Sequence, residues 1–174
     1  MDFNNISYLK DGNDRQKSAY KMLTEHSVFE KLQSFSPLLT GTIPINIDVH
    51  DSDLDIICCF KSKNNFIETL IEAFSKYDSF TLAERNINNR ETVLANFYLG
   101  GFEIEIFAQN RPTHKQEAFR HMIIEYEILL AHDENFRVGI IKLKKEGMKT
   151  EPAFAHMLGL AGDPYKELLK YKQS

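Results

Sequence analysis

Leu39-Thr40-Gly41-Thr42 and, ten residues further on, Ser52-Asp53-Leu54-Asp55-Ile56-Ile57 decide how this chain is read. Asp53 and Asp55 flank one leucine in an apolar run, so on a strand both carboxylates point to the same face. Leu54, Ile56 and Ile57 supply a buried context. Like charges held that close repel, and the pair costs stability unless a cation sits between them. A hard divalent cation such as Mg²⁺ takes oxygen ligands and keeps positions open for substrate phosphates. The plainer alternative is a strand end with two solvated aspartates. A third acid on a neighbouring strand would separate the two readings.

Working outward, apolar periodicity predicts a helix from Asp14 to about Phe35, stopped by Ser36-Pro37. A short strand over Leu38–Ile43 carries the Gly-Thr pair, and a second covers Asp53–Phe60. Asn64 or Asn65 is expected to cap a helix through about Lys76. A β-rich block follows: Phe80–Ile87, a turn at Asn88-Asn89, Thr92–Leu99, a turn at Gly100-Gly101, and Phe102–Ala108. In that last strand Phe102, Ile104 and Ile106 face one way, and Glu103, Glu105 and Phe107 the other. Glu103 and Glu105 are therefore the candidates for the third acid. Glu105 is preferred because Ile104, Ile106 and Phe107 embed it more deeply, whereas Glu103 lies nearer the Gly-Gly turn.

Beyond Arg111-Pro112-Thr113 the pattern is helical: His114–Leu130, about Asn135–Glu146, a helix capped by Thr150, and one begun by Asp163-Pro164. The predicted class is α+β, with a mixed sheet, flanking helices and a C-terminal helical segment. Residues 1–112 are expected to form the α+β core and 113–174 to pack on it as one compact unit.

Composition narrows the options. A chain of 174 residues, 43% hydrophobic and 26% charged, buries a real core. A formal net charge of −4 argues against a surface that grips extended nucleic acid. Cys58 and Cys59 are adjacent in a strand and so point to opposite faces, reading as small buried hydrophobes in a reducing compartment. No apolar run approaches the roughly 20 residues that span a bilayer, and the start lacks the marks of a signal peptide. A cytoplasmic location is expected.

Gly-Thr, a loop, Asp-x-Asp on the second strand and a later acidic strand together resemble the polymerase-β-type nucleotidyltransferase superfamily. The resemblance extends, over nearly the whole chain, to one bacterial family of that clan, domain of unknown function family 4269. It rests on Leu39-Thr-Gly-Thr-Ile-Pro, Ser52-Asp-Leu-Asp-Ile-Ile, Phe102-Glu-Ile-Glu-Ile-Phe with Gln109, Phe119-Arg-His-Met, Lys149-Thr-Glu-Pro-Ala-Phe-Ala and Leu158-Gly-Leu-Ala-Gly-Asp-Pro-Tyr. It implies a nucleotidyltransferase fold, and Asp53, Asp55 and Glu105 as catalytic ligands of Mg²⁺ or Mn²⁺. Gly41 and Thr42 would contact phosphate. The implied reaction moves a nucleotidyl group from a nucleoside triphosphate to an acceptor. A degenerate relative that only binds a nucleotide or another phosphorylated small molecule, and a nucleotide phosphohydrolase, are the alternatives.

The sequence departs from that pattern in its loop. Ile43-Pro-Ile-Asn-Ile-Asp-Val-His-Asp-Ser holds no Lys or Arg and adds Asp48 and Asp51, so cations must arrive from elsewhere. Arg120, His121 and Lys149 on the C-terminal helices are the first candidates, with Arg90 and Arg111 behind them. His121 and Glu125 are one turn apart, spaced to pair on a helix surface. Lys142, Lys144, Lys145 and Lys149 form a basic cluster that complements a helix C-terminus, or else borders a phosphate site at the next helix start.

Overall fold

The computed structural model describes residues 1–171, so the C-terminal segment is followed as far as Tyr171. Five strands form one sheet in the order β1-β2-β5-β4-β3: β1 (Leu38–Thr40), β2 (Leu54–Cys59), β3 (Asp78–Ile87), β4 (Arg90–Leu99) and β5 (Phe102–Gln109). Only β2 and β5 run parallel; the other three pairings are antiparallel. The two hairpins arise as their turn residues dictate. Asn88 and Asn89 both adopt positive φ, as do Gly100 and Gly101, which matches the twist of the strands they join.

Alternation in β5 sets the two faces of the sheet. Phe102, Ile104, Ile106 and Ala108 are buried on one side, with Leu54, Ile56 and Cys58 of β2 beside them. Helices α1 (Asp14–Glu25), α2 (Val28–Leu32) and α3 (Lys63–Phe74) cover this side and complete the larger core. There Phe74 stacks on Phe97 at 5.0 Å. Each such buried ring contributes a few kcal/mol by leaving water, of order 25 cal/mol per Å².

The C-terminal helices α4 (Glu117–Ala131), α5 (Glu134–Lys145), α6 (Thr150–Leu158) and α7 (Pro164–Lys170) build a second core. Phe3, Ile45 and Ile47 enter it from outside the helices. The loop after Gly41 is thus shared: Ile43 belongs to the sheet core, Ile45 and Ile47 to the helical one. Among the described residues no helix is long and apolar enough to cross a membrane.

Several boundaries differ from expectation for local reasons. The first helix breaks at Ser27, which takes a left-handed conformation between α1 and α2. Ser62, not Asn64 or Asn65, caps α3 by accepting from Asn65 N. Lys149 is the N-cap of α6, and Thr150 is its first helical residue. Cys58 and Cys59 are both free thiols.

Candidate functional site

The face of the sheet turned toward α4 carries a row of polar residues in register. Thr40 of β1 pairs with Asp55 of β2, Asp55 with Glu105 of β5, and Glu105 with Asn96 of β4. Adjacent strands lie about 4.8 Å apart, so Asp55 and Glu105 are immediate neighbours. Asp53 immediately precedes β2, on the Glu103 side of this row.

Burial and mutual repulsion act on all three acids. Asp55 is pushed up to about 8, by burial first and then by Asp53 and Glu105. Burial, then the charges of Asp53 and Glu103, raises Glu105. Asp53 is raised by burial and by Glu103, against the pull of its own backbone N–H and of Lys144. Glu103 itself is exposed and accepts a 3.1 Å hydrogen bond from the Tyr98 hydroxyl. Of the two candidates for the third acid, Glu105 stands in the row with Asp55 and Glu103 at the sheet end.

Gly41 sits where the chain leaves β1, and only glycine suits the place. Its φ is +80°, and a Cβ there would lie 2.1 Å from Asp55 Oδ2. The carboxyl group packs directly against the bare α-carbon. Thr42 Oγ1 lies 3.3 Å from Ser52 Oγ, which also accepts from Val49 N at 2.9 Å. That contact links the Gly-Thr turn to the residue before Asp53.

Two clefts meet at Asp55, sharing Thr40 and Ala118. One, of about 240 Å³, runs past Glu105 between Ile57, Ile87, Phe107 and Gln116. The other, of about 320 Å³, is bounded by Gly41, Thr42, Ser52, Asp53 and Asp55 on one wall. His121, Met122 and Glu125 of α4, Lys144 of α5, and Thr150 and Glu151 of α6 form the other.

The structure therefore brings Gly41, Thr42, Asp53, Asp55 and His121 to one cleft, with Glu105 on the adjoining one. It does not bring Arg120 or Lys149 there. Arg120 is exposed, about 150° round α4 from the stripe of Ala118, His121, Met122 and Glu125. Lys149 is exposed at the N-cap of α6. Arg111 is engaged with Glu117 at 2.6 Å, and Arg90 starts β4. The expected surface pair of His121 and Glu125 is absent. Both are buried, and His121 Nε2 donates to the Tyr165 carbonyl at 2.9 Å, leaving Nδ1 3.7 Å from Glu151 Oε1.

Lys144 supplies the cation that the loop lacks. Its Nζ donates to Ile47 O at 2.8 Å, and it faces Asp48, Asp53, Asp55 and Glu125. Burial lowers its pKa while those four acids oppose the shift. It is the one lysine or arginine lining the cleft among the described residues. Arg15 and Arg137 serve the loop itself: Arg15 pairs with Asp48 at 3.3 Å and donates to Ser52 O, and Arg137 donates to Ile45 O and Asn46 O.

The sequence matches, over residues 21–171, the family described as Domain of unknown function (DUF4269). The chain belongs to the DUF4269 family. No curated protein matches it. Its fold is similar to that of a GLD-2/RNP-8 complex chain, with a TM-score of 0.53, 10% identity, and coverage of 88% of this chain and 61% of that one. Cid1, described as an RNA terminal uridylyl transferase, gives a TM-score of 0.55 and 12% identity, covering 84% of this chain and 48% of Cid1. Cid1 poly(U) polymerase with MgGTP bound gives the same score and identity, covering 84% of this chain and 49% of that one. This DUF4269 chain thus has a nucleotidyltransferase-like α+β fold, and it spans about half to three fifths of the length of these structures.

Whether a divalent cation suits the site is a question of donor chemistry. Among the described residues no three His, Cys, Asp or Glu side chains are gathered into a ready metal cage. Asp53, Asp55 and Glu105 nonetheless offer oxygen donors on adjoining positions, each destabilised as an anion. Hard cations take such ligands, so the residues fit the group.

Proposed function

We propose that this chain is a divalent-metal-dependent nucleotidyltransferase that transfers a nucleotidyl group from a nucleoside triphosphate to an acceptor. The observation that carries the reading is the half-buried acidic row, Asp55 beside Glu105 with Asp53 one step away, set against the glycine that ends β1. Asp53, Asp55 and Glu105 would hold the ion, which when bound neutralises charge on the phosphates. Gly41 lets phosphate approach the backbone, and the Thr42 hydroxyl offers a donor. Lys144 takes the part first expected of Arg120 and Lys149, giving a fixed positive charge to the phosphate chain. In the transfer the acceptor oxygen bonds to the α-phosphorus as the bond to the bridging oxygen breaks. Pyrophosphate leaves, and the acceptor's proton passes to the carboxylate of Glu105, which stands beside Asp55.

One observation favours a second reading, a protein that binds nucleotide without turning it over. Lys144 is the single lysine or arginine lining the larger cleft among the described residues, which leaves little positive charge to stabilise a departing pyrophosphate. Ligand-observed NMR with each of the four nucleoside triphosphates, with and without Mg²⁺, separates the two, followed by assay of pyrophosphate release. Binding that requires Mg²⁺, disappears in Asp53→Asn and is accompanied by pyrophosphate release supports transfer. Metal-independent binding that survives Asp53→Asn supports the second reading, and no binding at all refutes both.

A further inference from the structure

The α4 wall of the larger cleft holds a carboxyl group for which nucleotidyl transfer has no task. Glu125 is only 4% exposed, yet it lines the cleft. Among the described residues its side chain has no hydrogen bond, and no Lys, Arg or His nitrogen lies within 4.0 Å of its carboxylate. Buried polar groups are normally partnered, so one that faces an open cleft without a partner points to a ligand that supplies it.

The surroundings specify that ligand. Burial, and then the charge of Glu151 in the first turn of α6, push Glu125 up to about 8, so its carboxyl ionises readily only beside a cation. Asp53 and Asp55 close the opposite wall. Lys144 faces Glu125 but is tied to Ile47 O at 2.8 Å. His121 spends Nε2 on Tyr165 O, and its Nδ1 lies 3.7 Å from Glu151 Oε1. On this side of the cleft carboxyl groups outnumber the one cation, Glu125 and Glu151 against Lys144. An ammonium group carries three directional donors and suits a pair of carboxyl groups.

We propose that the α4 side of the cleft, built on Glu125 and Glu151, is a subsite for a protonated primary amine. The amine belongs to the acceptor, and this last assignment alone rests on the transfer reading. The volume of about 320 Å³ admits a small amino alcohol or a single aminosugar. A neutral hydroxyl in the same position forms no ion pair and leaves the Glu125 carboxyl protonated, whereas an ammonium group draws it into ionisation, so the subsite distinguishes an amine from its hydroxyl counterpart.

The test uses the full chain and two matched pairs of probes: glucosamine against glucose, and 1,3-diaminopropane against 1,3-propanediol. Binding is followed by calorimetry and by melting temperature, in EDTA and then in Mn²⁺. At least one amine is expected to bind ten times or more tighter than its neutral counterpart. Glu125→Gln should abolish that preference while keeping the Mn²⁺ response. Asp55→Asn should lose the Mn²⁺ response and keep amine binding in EDTA. Glu151→Gln, at a more open position, serves if Glu125→Gln fails to fold, and it should weaken the amine at least threefold. Equal affinity for amine and neutral probes in both pairs, or an amine preference unchanged in the variants, overturns the proposal. Amine binding in a wild type that shows no metal response supports the subsite while refuting the transfer reading, so the two failures are told apart.

Discussion

Replacing Asp55 with asparagine should make the metal-free protein more stable above neutral pH. The carboxyl ordinarily titrates near 3.8 and is pushed up to about 8 in the fold. A carboxyl raised in this way carries no cost well below pH 3.8, where it is protonated in both states. As pH rises through that window, the unfolded chain gains an ionisation that the fold resists, so stability falls until about pH 8 and then levels off. A rise of roughly four pH units at about 1.4 kcal/mol each sets a ceiling of about 6 kcal/mol. Asp53 and Glu105 share the repulsion and the cleft admits water, so a gain of about 2–4 kcal/mol at pH 8.5 is expected. At about 2–4 °C per kcal/mol, the variant should melt some 5–15 °C higher at pH 8.5 and nearly with wild type at pH 4. The assay is a melting series in EDTA across pH 4–9, repeated with Mn²⁺, which should raise only the wild type. A variant that melts below wild type at pH 8.5, or that follows the same pH slope, would refute the reasoning.

Glu105→Gln should cut the Mn²⁺-induced rise in melting temperature by at least half, whereas Glu103→Gln at the exposed sheet end should leave most of it; melts of the two variants side by side decide between these acids. Lys144→Gln should weaken nucleotide binding in Mg²⁺ by about 1–3 kcal/mol, the scale of a charge-assisted hydrogen bond, yet tighten Mn²⁺ binding, because it removes a cation facing the aspartates. Calorimetry of both ligands shows whether the signs are opposite. Gly41→Ala should cost about 2–4 kcal/mol in denaturant unfolding, from a left-handed backbone and from a methyl group 2.1 Å from Asp55 Oδ2. Asp55→Gly in the same chain should recover part of that loss.

The acidic strand pair was readable because period-two alternation survives in sequence: Glu103 and Glu105 alternate with Phe102, Ile104 and Ile106, and the structure buries the second set. The hairpins were readable because Asn-Asn and Gly-Gly tolerate positive φ. The break at Ser27 was not, since the apolar stripe of α1 continues into α2 without a Gly or Pro. Lys144 was hidden among Lys142, Lys145 and Lys149, all compatible with a helix C-terminus. Only the docking of α5 on Ile47 singles it out. Arg120 misled for the complementary reason. A neighbour of His121 in sequence stands about 100° away on a helix, and the face that meets the sheet is fixed by packing, which the local pattern leaves open.

The loop after Gly41 decides how this molecule can and cannot be taken apart. Gln16 grips it through Ile43 O and Arg15 through Ser52 O from one side, while Arg137 and Lys144 hold Ile45 O and Ile47 O from the other. It works as a crossbeam rather than a flap. Prising α5 away from the sheet half would strip Ile45 and Ile47 of their cover and slacken the turn that presents Gly41 and Thr42. A fragment ending near residue 112 should therefore expose sticky apolar surface and lose the shape of its own acidic cleft, so the helices belong to the smallest working unit.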